Sequence, residues 1–224
     1  MHGNAEALKA VLAEVTRHKI SQLLITGDLV GYYFNSKEVF DLLFMHTSIF
    51  VCGNHEKMLQ KSRYNEDVLK CSESKYGSGL RSALETLAPS QLNMIENMPA
   101  SAFLNVEGCK ILLCHGTPSD PMAYLYPDAP QEVLSEFGSM PFDFIIMGHT
   151  HYPMDIKVGS VRLVNPGSVG QPRTKEKGAA WAILDTNTRE VVFRSESYDA
   201  TSLINECRIR HPGIPYLAEV LCKK

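Results

Sequence analysis

The stretch FIIMGHTHYP at residues 144–153 decides the fold. It begins with a short continuous run of apolar residues, which is the pattern of a strand buried on both faces. It continues into His149 and His151, and side chains two positions apart point to the same side of an extended segment. Gly148 allows the chain to turn tightly after the strand. The pattern therefore predicts a strand that delivers two imidazoles to one site.

Three further apolar runs, at residues 23–25, 49–52 and 111–114, follow the same rule. Each is followed within one to three residues by a polar group of a type that binds metals. GDLVGYY at residues 27–33 supplies Asp28, GNHE at 53–56 supplies Asn54 and His55, and CHGTP at 114–118 supplies His115. In open α/β sheets, the loops after the carboxyl ends of strands form ligand sites. We therefore expect these four loops to converge.

The donor atoms in these loops indicate the chemistry of the site. Imidazole nitrogen together with carboxylate and amide oxygen, without thiolate, suits Mn²⁺, Fe, Zn²⁺ or Ni²⁺. The two oxygens of Asp28 can bridge two ions held about 3.5 to 4 Å apart, which is the spacing of two-metal phosphatases and nucleases. A water between such ions becomes hydroxide at neutral pH and can attack phosphorus. The sequence thus predicts two divalent metal ions, with Mn²⁺ favoured.

Taken singly, each of these motifs is weak evidence. GD or GNHE alone can be a turn and a helix cap, and isolated histidines such as His18, His46 and His211 are more typical of surface or packed positions. Four such loops in this order are not expected by chance. We therefore interpret them as one site.

The remaining pattern predicts a single α/β domain over residues 1–224. Apolar residues at helical spacing follow Asn4, a residue favoured at helix N-caps, and residues 37–44 also have a helical pattern. The strand, helix, strand rhythm is typical of an α/β layer. Residues 57–100 predict a helical flap over the site, the chain after residue 153 predicts antiparallel hairpins, and residues 199–224 predict a helical tail.

Composition excludes several classes of function. The longest apolar runs have four to six residues, whereas a bilayer span needs about 18 or more, and we expect no membrane segment. A formal net charge of −3 without a block of Lys and Arg argues against a large nucleic-acid surface. No secretory signal precedes the first helix, and the six cysteines are scattered without CxxC spacing. We expect a soluble cytoplasmic protein with reduced thiols, whose oligomeric state the sequence leaves open.

The motifs, taken in order, resemble those of the calcineurin-like metallophosphoesterases, which are D-x-H, G-D, G-N-H-[DE], H and G-H-x-H. GDLVGYY, GNHE, CHGTP, GHTHYP and NPGSVGQPR are similar in particular to the small single-domain phosphodiesterases of bacteria and archaea. The resemblance extends from His2 to about Arg194. It implies a four-layer α-β-β-α sandwich of two mixed sheets flanked by helices.

The resemblance also implies a role for each motif residue. The first metal would be held by His2, Asp28 and His151, and the second by Asp28, Asn54, His115 and His149. His55 would be catalytic, as a general acid or as a stabiliser of charge on the phosphate. Arg173 would bind a substrate phosphate, although a surface arginine is an equal alternative. Glu56 would either orient His55 or serve as a carboxylate at a helix start.

The chain departs from the family pattern at its first motif. Met1 takes the x position of D-x-H, so the first aspartate and the apolar strand expected before it, near the middle of a sheet, are absent. Either the sequence is shortened relative to a natural protein, or the protein functions without them. In both cases the first metal should bind more weakly. Tyr33 and Phe34 stand where relatives commonly have Gly and Pro, and they either line the substrate pocket or pack in the core.

The expected function is metal-dependent hydrolysis of phosphate esters, most simply a phosphodiesterase acting on a small or nucleotide-like substrate. The alternative is a catalytically impaired scaffold or interaction protein, resembling the retromer subunit that keeps this fold. The missing aspartate favours the alternative, and the intact His55 argues against it. The protein serine/threonine phosphatase signatures GDxVDRG and RGNHE do not occur in the chain.

Overall fold

A computed structural model describes residues 1–174 and 178–222. The described part is a mixed α/β arrangement, which confirms the predicted fold class. The helices are α1 (Ala5–Arg17), α2 (Ser36–Leu43), α3 (Asn54–Ser62), α4 (Glu66–Tyr76), α5 (Gly79–Thr86), α6 (Pro89–Glu96), α7 (Gln131–Ser135), α8 (Thr201–Arg210) and α9 (Tyr216–Glu219). The strands are β1 (Leu23–Ile25), β2 (Ser48–Phe50), β3 (Ser101–Val106), β4 (Cys109–Cys114), β5 (Phe144–Ile146), β6 (Pro153–Val158), β7 (Val161–Pro166), β8 (Ala179–Leu184) and β9 (Val191–Glu196).

A five-stranded mixed sheet with the order β3-β4-β5-β7-β6 forms the centre of the molecule. β4, β5 and β7 run parallel, and the antiparallel hairpin partners β3 and β6 form its edges. The parallel strands are short and apolar because helices and other strands cover both of their faces. The four apolar runs of the sequence are all strands, and the predicted antiparallel hairpins correspond to β6–β7 and β8–β9.

The first helix begins where the sequence predicts. Asn4 caps α1, and its side-chain oxygen accepts a hydrogen bond from the backbone N–H of Ala7. The apolar face of α1 buries Leu8, Val11 and Val15 against β1, β8 and neighbouring helices. Burial of that face, more than intrinsic propensity, holds the helix in place.

The strand pairs β1–β2 and β8–β9 lie between the five-stranded sheet and the helices. Val51 and Ile111 belong to an apolar cluster on the sheet side, and Leu24 and Leu184 pack against that cluster. Trp181 belongs to a second cluster on the helix side. α7 covers the opposite face of the five-stranded sheet through Leu134, which packs with β5 to β7. This order of helix, strand, strand and helix is the expected layering.

The helix-side strands differ in one respect from the expected mixed sheet. β1 pairs only with β2, and β8 pairs only with β9, among the residues described. Between their free edges lies a largely apolar cavity of about 280 Å³. Its lining comes from α1, β1, β8 and the five-stranded sheet, and includes Leu12, Leu24, Ile146, Val164 and Ala182. The two pairs stay separate because no described strand bridges this gap.

The segments called flap and tail are both helical. α3 to α6 occupy most of residues 57–100, and α8 and α9 form the tail, whose last two residues lie outside the described part. Tyr33 and Phe34 pack in the core with the tail, and the Tyr33 hydroxyl donates to the carbonyl of Leu217 at 3.2 Å. Of the two roles predicted for Tyr33 and Phe34, packing in the core is therefore the one that the structure shows. None of the described helices combines the length and apolar character that crossing a bilayer requires.

Candidate metal centre

The predicted ligands lie in loops directly after the strands. Asp28 follows β1, Asn54 follows β2, His115 follows β4 and His149 follows β5. Four predicted ligands have a left-handed backbone, with φ between 55° and 64°: His2, Asp28, His149 and His151. Such a conformation in a non-glycine residue costs about 1–3 kcal/mol and clusters at functional sites. The loops are therefore held in strained geometries that point these side chains into one region.

The predicted ligands of the second metal come together closely. The Nε2 atom of His115 lies 2.9 Å from Oδ1 of Asn54 and 3.0 Å from Nδ1 of His149. It also lies 3.5 Å from Oδ2 of Asp28. All four side chains predicted for this metal thus have a donor atom in one small volume.

Backbone carbonyls fix which ring nitrogens carry hydrogen. Nδ1 of His115 donates to the carbonyl of Thr26 at 2.6 Å, and Nε2 of His149 donates to the carbonyl of Met122 at 3.2 Å. In the neutral rings, the nitrogens that face each other therefore carry lone pairs. Lone pairs at 3.0 Å repel unless a cation lies between them, and carbonyl-oriented imidazoles are the usual arrangement at metal sites. The residues fit a divalent ion at this position.

The first-metal residues also meet, around Asp28. Nε2 of His2 lies 2.9 Å from Nε2 of His151 and 3.7 Å from Oδ2 of Asp28. Nδ1 of His151 donates a hydrogen bond to the carbonyl of Gln171 at 2.8 Å. Nε2 of His151 then carries the lone pair that can bind a metal. Possible ligand atoms within 4.8 Å of one another form two groups, one of His2, Asp28 and His55 and one of Asp28, His115 and His149. Asp28 belongs to both groups.

Comparison with known proteins agrees with this geometry. A family model described as the calcineurin-like phosphoesterase superfamily domain matches residues 1–189. The chain belongs to this superfamily. Membership supports metal-dependent phosphoester hydrolysis as its chemistry and implies divalent metal ions.

Individual relatives support the fold. The chain is 28% identical over 218 residues to the uncharacterized protein MJ0912 of Methanocaldococcus jannaschii, covering 89% of this chain and 85% of that protein. The structure of the hypothetical protein PH1004 from Pyrococcus horikoshii superposes with a TM-score of 0.86 at 20% identity, covering 98% of this chain and 94% of that one. A metallophosphoesterase from Sphaerobacter thermophilus has a TM-score of 0.77 at 23% identity, with 99% and 95% coverage.

His55 lies beside the first-metal group in this phosphoesterase. Its ring centroid is 4.9 Å from that of His2 and 4.8 Å from that of Tyr32, and its backbone N–H donates to Oδ1 of Asp28 at 3.0 Å. Gly31 makes room for the ring, because a Cβ atom at Gly31 would lie 2.0 Å from Nδ1 of His55. The close approach of this loop thus sets the position of the predicted catalytic imidazole.

Glu56 is a carboxylate at the start of α3, as one of the two sequence interpretations has it, and its contacts extend beyond that helix. Its buried carboxylate accepts hydrogen bonds from the backbone N–H groups of Asp28, Leu29, Val30 and Gly53, at 2.7 to 3.2 Å. It therefore ties the GDLV loop to the start of α3. The spacing GNHE contained the signal, since a glutamate at the third helical position can accept from the residue before the helix.

Burial sets the protonation of the site. It lowers the pKa of His55 to about 4, and of His149 to about 4 with the repulsion of His115 added. It lowers the pKa of His151 to about 3, and the charge of Arg173 acts in the same direction. Burial would raise the pKa of Asp28, but the neighbouring charges of His115 and His55 outweigh it and hold the pKa at about 2. At neutral pH the imidazoles of His55, His149 and His151 are therefore neutral and the carboxylate of Asp28 is charged, and metal ligands must be in these forms.

Arg173 is half-buried next to the site. Burial would lower the pKa of Arg173, but the neighbouring Tyr32 and Tyr216 outweigh that effect and raise it. Its charge also contributes to the lowered pKa of His55 and His151. Arg173 therefore lies near the histidines of the centre, and its binding of a substrate phosphate stays a prediction. No motif or regular spacing in the sequence connects Tyr32 and Tyr216 with Arg173, so their position beside it was not predicted.

Proposed function

We propose that this chain is a phosphodiesterase that uses two divalent ions, with Mn²⁺ preferred, to hydrolyse small phosphodiesters. The observation that carries the proposal is the convergence of lone pairs from His115, His149 and Asn54 on one volume next to Asp28. Such a donor set is suited to binding a divalent cation. Bound ions would supply Lewis acidity and a water of lowered pKa.

The protein's own residues then bind and orient the ester. His2, Asp28 and His151 would hold the first ion, and Asn54, His115 and His149 would hold the second together with Asp28. His55 would stabilise the charge that develops on the phosphate or protonate the leaving oxygen, since it lies beside this donor set. Arg173 would pair with a second phosphate oxygen, for which its planar guanidinium is suited.

The test is hydrolysis of bis(p-nitrophenyl) phosphate by protein stripped with a chelator and reloaded with Mn²⁺, Fe²⁺, Zn²⁺ or Ni²⁺. We expect activity to return with metal. His115→Ala should lose bound metal and activity together. His55→Ala should retain metal but lose about 100-fold or more in kcat, the usual effect of removing a group that stabilises transition-state charge.

His18→Ala is the matched control, because His18 is an exposed histidine at the end of α1. It should retain both metal and rate. Equal background rates in the metal-loaded wild type, His55→Ala and His115→Ala would reject the proposal and favour the scaffold alternative. Metal content, measured by mass spectrometry, separates loss of binding from loss of chemistry.

A further inference from the structure

Two exposed tyrosines form a stack that begins on His149 of the second-metal group. The ring of Tyr124 stacks on His149 with centroids 3.9 Å apart and an interplanar angle of 28°. Tyr126 lies nearly parallel to Tyr124, with centroids 5.9 Å apart and an angle of 8°. Tyr124 remains 52% exposed and Tyr126 38% exposed. Aromatic surface of this size is thus left open to solvent directly beside a predicted metal ligand.

The loop that carries these rings is fixed rather than loose. A Cβ atom at Gly116 would lie 2.7 to 2.8 Å from three carbonyl oxygens of residues 120–123, so the loop folds closely over the CHGTP turn. Met122 accepts a hydrogen bond from His149, and Leu125, between the two tyrosines, is buried in the core. The backbone on both sides of Tyr124 is therefore anchored. The rings are preorganised, which reduces the entropic cost of binding to them.

The ring of Tyr124 also lies close to the other predicted ligands of the second metal. It stacks on His149, whose Nδ1 is 3.0 Å from Nε2 of His115, and that Nε2 is 3.5 Å from Oδ2 of Asp28. A phosphate held at the metal centre near Arg173 would thus place its ester group close to this aromatic surface. Tyr152, the residue after His151, makes an edge-to-face contact with Tyr126 at 5.9 Å and extends the aromatic surface.

We propose that Tyr124 and Tyr126 form an aromatic shelf that binds a planar aromatic group attached to the scissile phosphate. The substrate class is then aryl or nucleotide phosphate esters rather than aliphatic or purely sugar phosphates. Stacking on such side chains is tolerant of which ring is bound, because every base or aryl group has a π-face. The inference rests on the proposed phosphoesterase function and specifies its substrate.

The test compares three ligands of the Mn²⁺-loaded protein by calorimetry: AMP, phenyl phosphate and ribose 5-phosphate. They share a phosphate, but only the first two carry an aromatic ring. We expect AMP, phenyl phosphate or both to bind more tightly than ribose 5-phosphate, and whichever does identifies the ring as a base or an aryl group. In Tyr124→Ala, Kd for the preferred ligand should rise about fivefold or more, as expected for a lost stacking contact.

Variants separate stacking from support of the metal ligand. Tyr124→Phe should keep the preference for aromatic ligands, and Tyr64→Ala, which removes a tyrosine that is 77% exposed beyond α3, should leave it unchanged. Bound Mn²⁺ is measured in each variant. If Tyr124→Ala loses metal, the effect of the shelf on ligand affinity is measured in Tyr126→Ala instead. The ring of Tyr126 contacts Tyr124 and Tyr152 rather than a predicted metal ligand.

Equal affinity of the wild type for all three ligands, or a preference that survives both alanine variants, would overturn the shelf. Binding of none of the three would do the same. Hydrolysis of bis(p-nitrophenyl) phosphate is followed in parallel. Its presence without an aromatic preference removes only the shelf, whereas its absence removes the proposed function.

Discussion

At the scale of single residues, the site depends on glycines that permit close approach as much as on the ligands. Gly31 has φ of 88° and lies against the ring of His55. Gly108, in the turn between β3 and β4, has a similar φ of 78° but no atom within 4 Å of the position of an added Cβ. The two glycines have a similar backbone conformation with positive φ, and they differ in what surrounds them.

This difference leads to a prediction for Gly31→Ala. Gly108→Ala should cost about 1–2 kcal/mol in free energy of unfolding, because the left-handed conformation disfavours a Cβ atom, and Gly31→Ala should cost more, because its Cβ atom would also overlap the ring of His55. Only Gly31→Ala should also displace His55, so its kcat should fall toward that of His55→Ala. Urea denaturation and hydrolysis of the aryl diester measure the two effects. A Gly31→Ala variant with normal kcat would show that the position of His55 does not matter.

The residues that the sequence could identify are those whose chemistry and spacing are both informative. His149 and His151 were recognisable because they follow a strand at a spacing of two, although the predicted extended segment is wrong, since both residues have a left-handed φ of 64°. Tyr124 was not, since it lies in an irregular loop and meets His149 only through tertiary folding. The helix-start position of Glu56 was among the predictions, but its hydrogen bonds to Asp28, Leu29 and Val30 were missed for a related reason, because these partners come from another loop.

At the scale of elements, the segment before α1 positions the residue predicted to hold the first metal, His2. The backbone N–H of His2 donates to the carbonyl of Asp28 at 2.7 Å, and that of Gly3 donates to the carbonyl of Leu29 at 2.8 Å. The side chain of Asn4 donates to the carbonyl of Gly170 at 3.0 Å, which joins the segment to the loop before Arg173. His2 is therefore held firmly although it precedes the first helix.

The two halves of the centre should differ in affinity for metal. The first half has two imidazoles and a share of Asp28, whereas the second has two imidazoles, the Asn54 amide oxygen and the same carboxylate. We expect Mn²⁺ titration to show a tighter and a weaker class of site. His2→Ala should remove only the weaker class, and Asn54→Ala should weaken the tighter one. A single class in the wild type, or loss of both classes in His2→Ala, would contradict this assignment.

Elements were predictable where their own pattern was sufficient. α1 has both a cap at Asn4 and an apolar face, and β6–β7 has two apolar runs around Gly159, so both were found. β3 was not predicted. Its burial is low except at Leu104, and it is a strand because it pairs along its full length with β4 at the edge of the sheet. A partner supplied by tertiary structure leaves little trace in the strand's own residues.

At the scale of the whole molecule, the layers are complete except between β1 and β8. The cavity there is bounded by strand edges and apolar side chains, and apolar voids weaken a fold because the atoms that line them lose dispersion contacts. It is also next to the metal centre, since Asp28, His115 and His149 contribute to its lining. Packing in this region should therefore affect both stability and the rigidity of the ligands.

Filling the cavity should stabilise the protein. Ala182 lies in β8, lines the cavity and pairs across the hairpin with Phe193. Ala182→Leu adds apolar atoms to existing space, and cavity-filling substitutions commonly add about 0.5–2 kcal/mol to the free energy of unfolding. Ala100→Leu, at an exposed position before β3, adds the same atoms without burial and should change the stability little. Thermal and urea unfolding of both variants give the comparison. An Ala182→Leu variant no more stable than Ala100→Leu would mean that the space closes by relaxation of β1 and β8, and that the two strand pairs adjust to one another in solution.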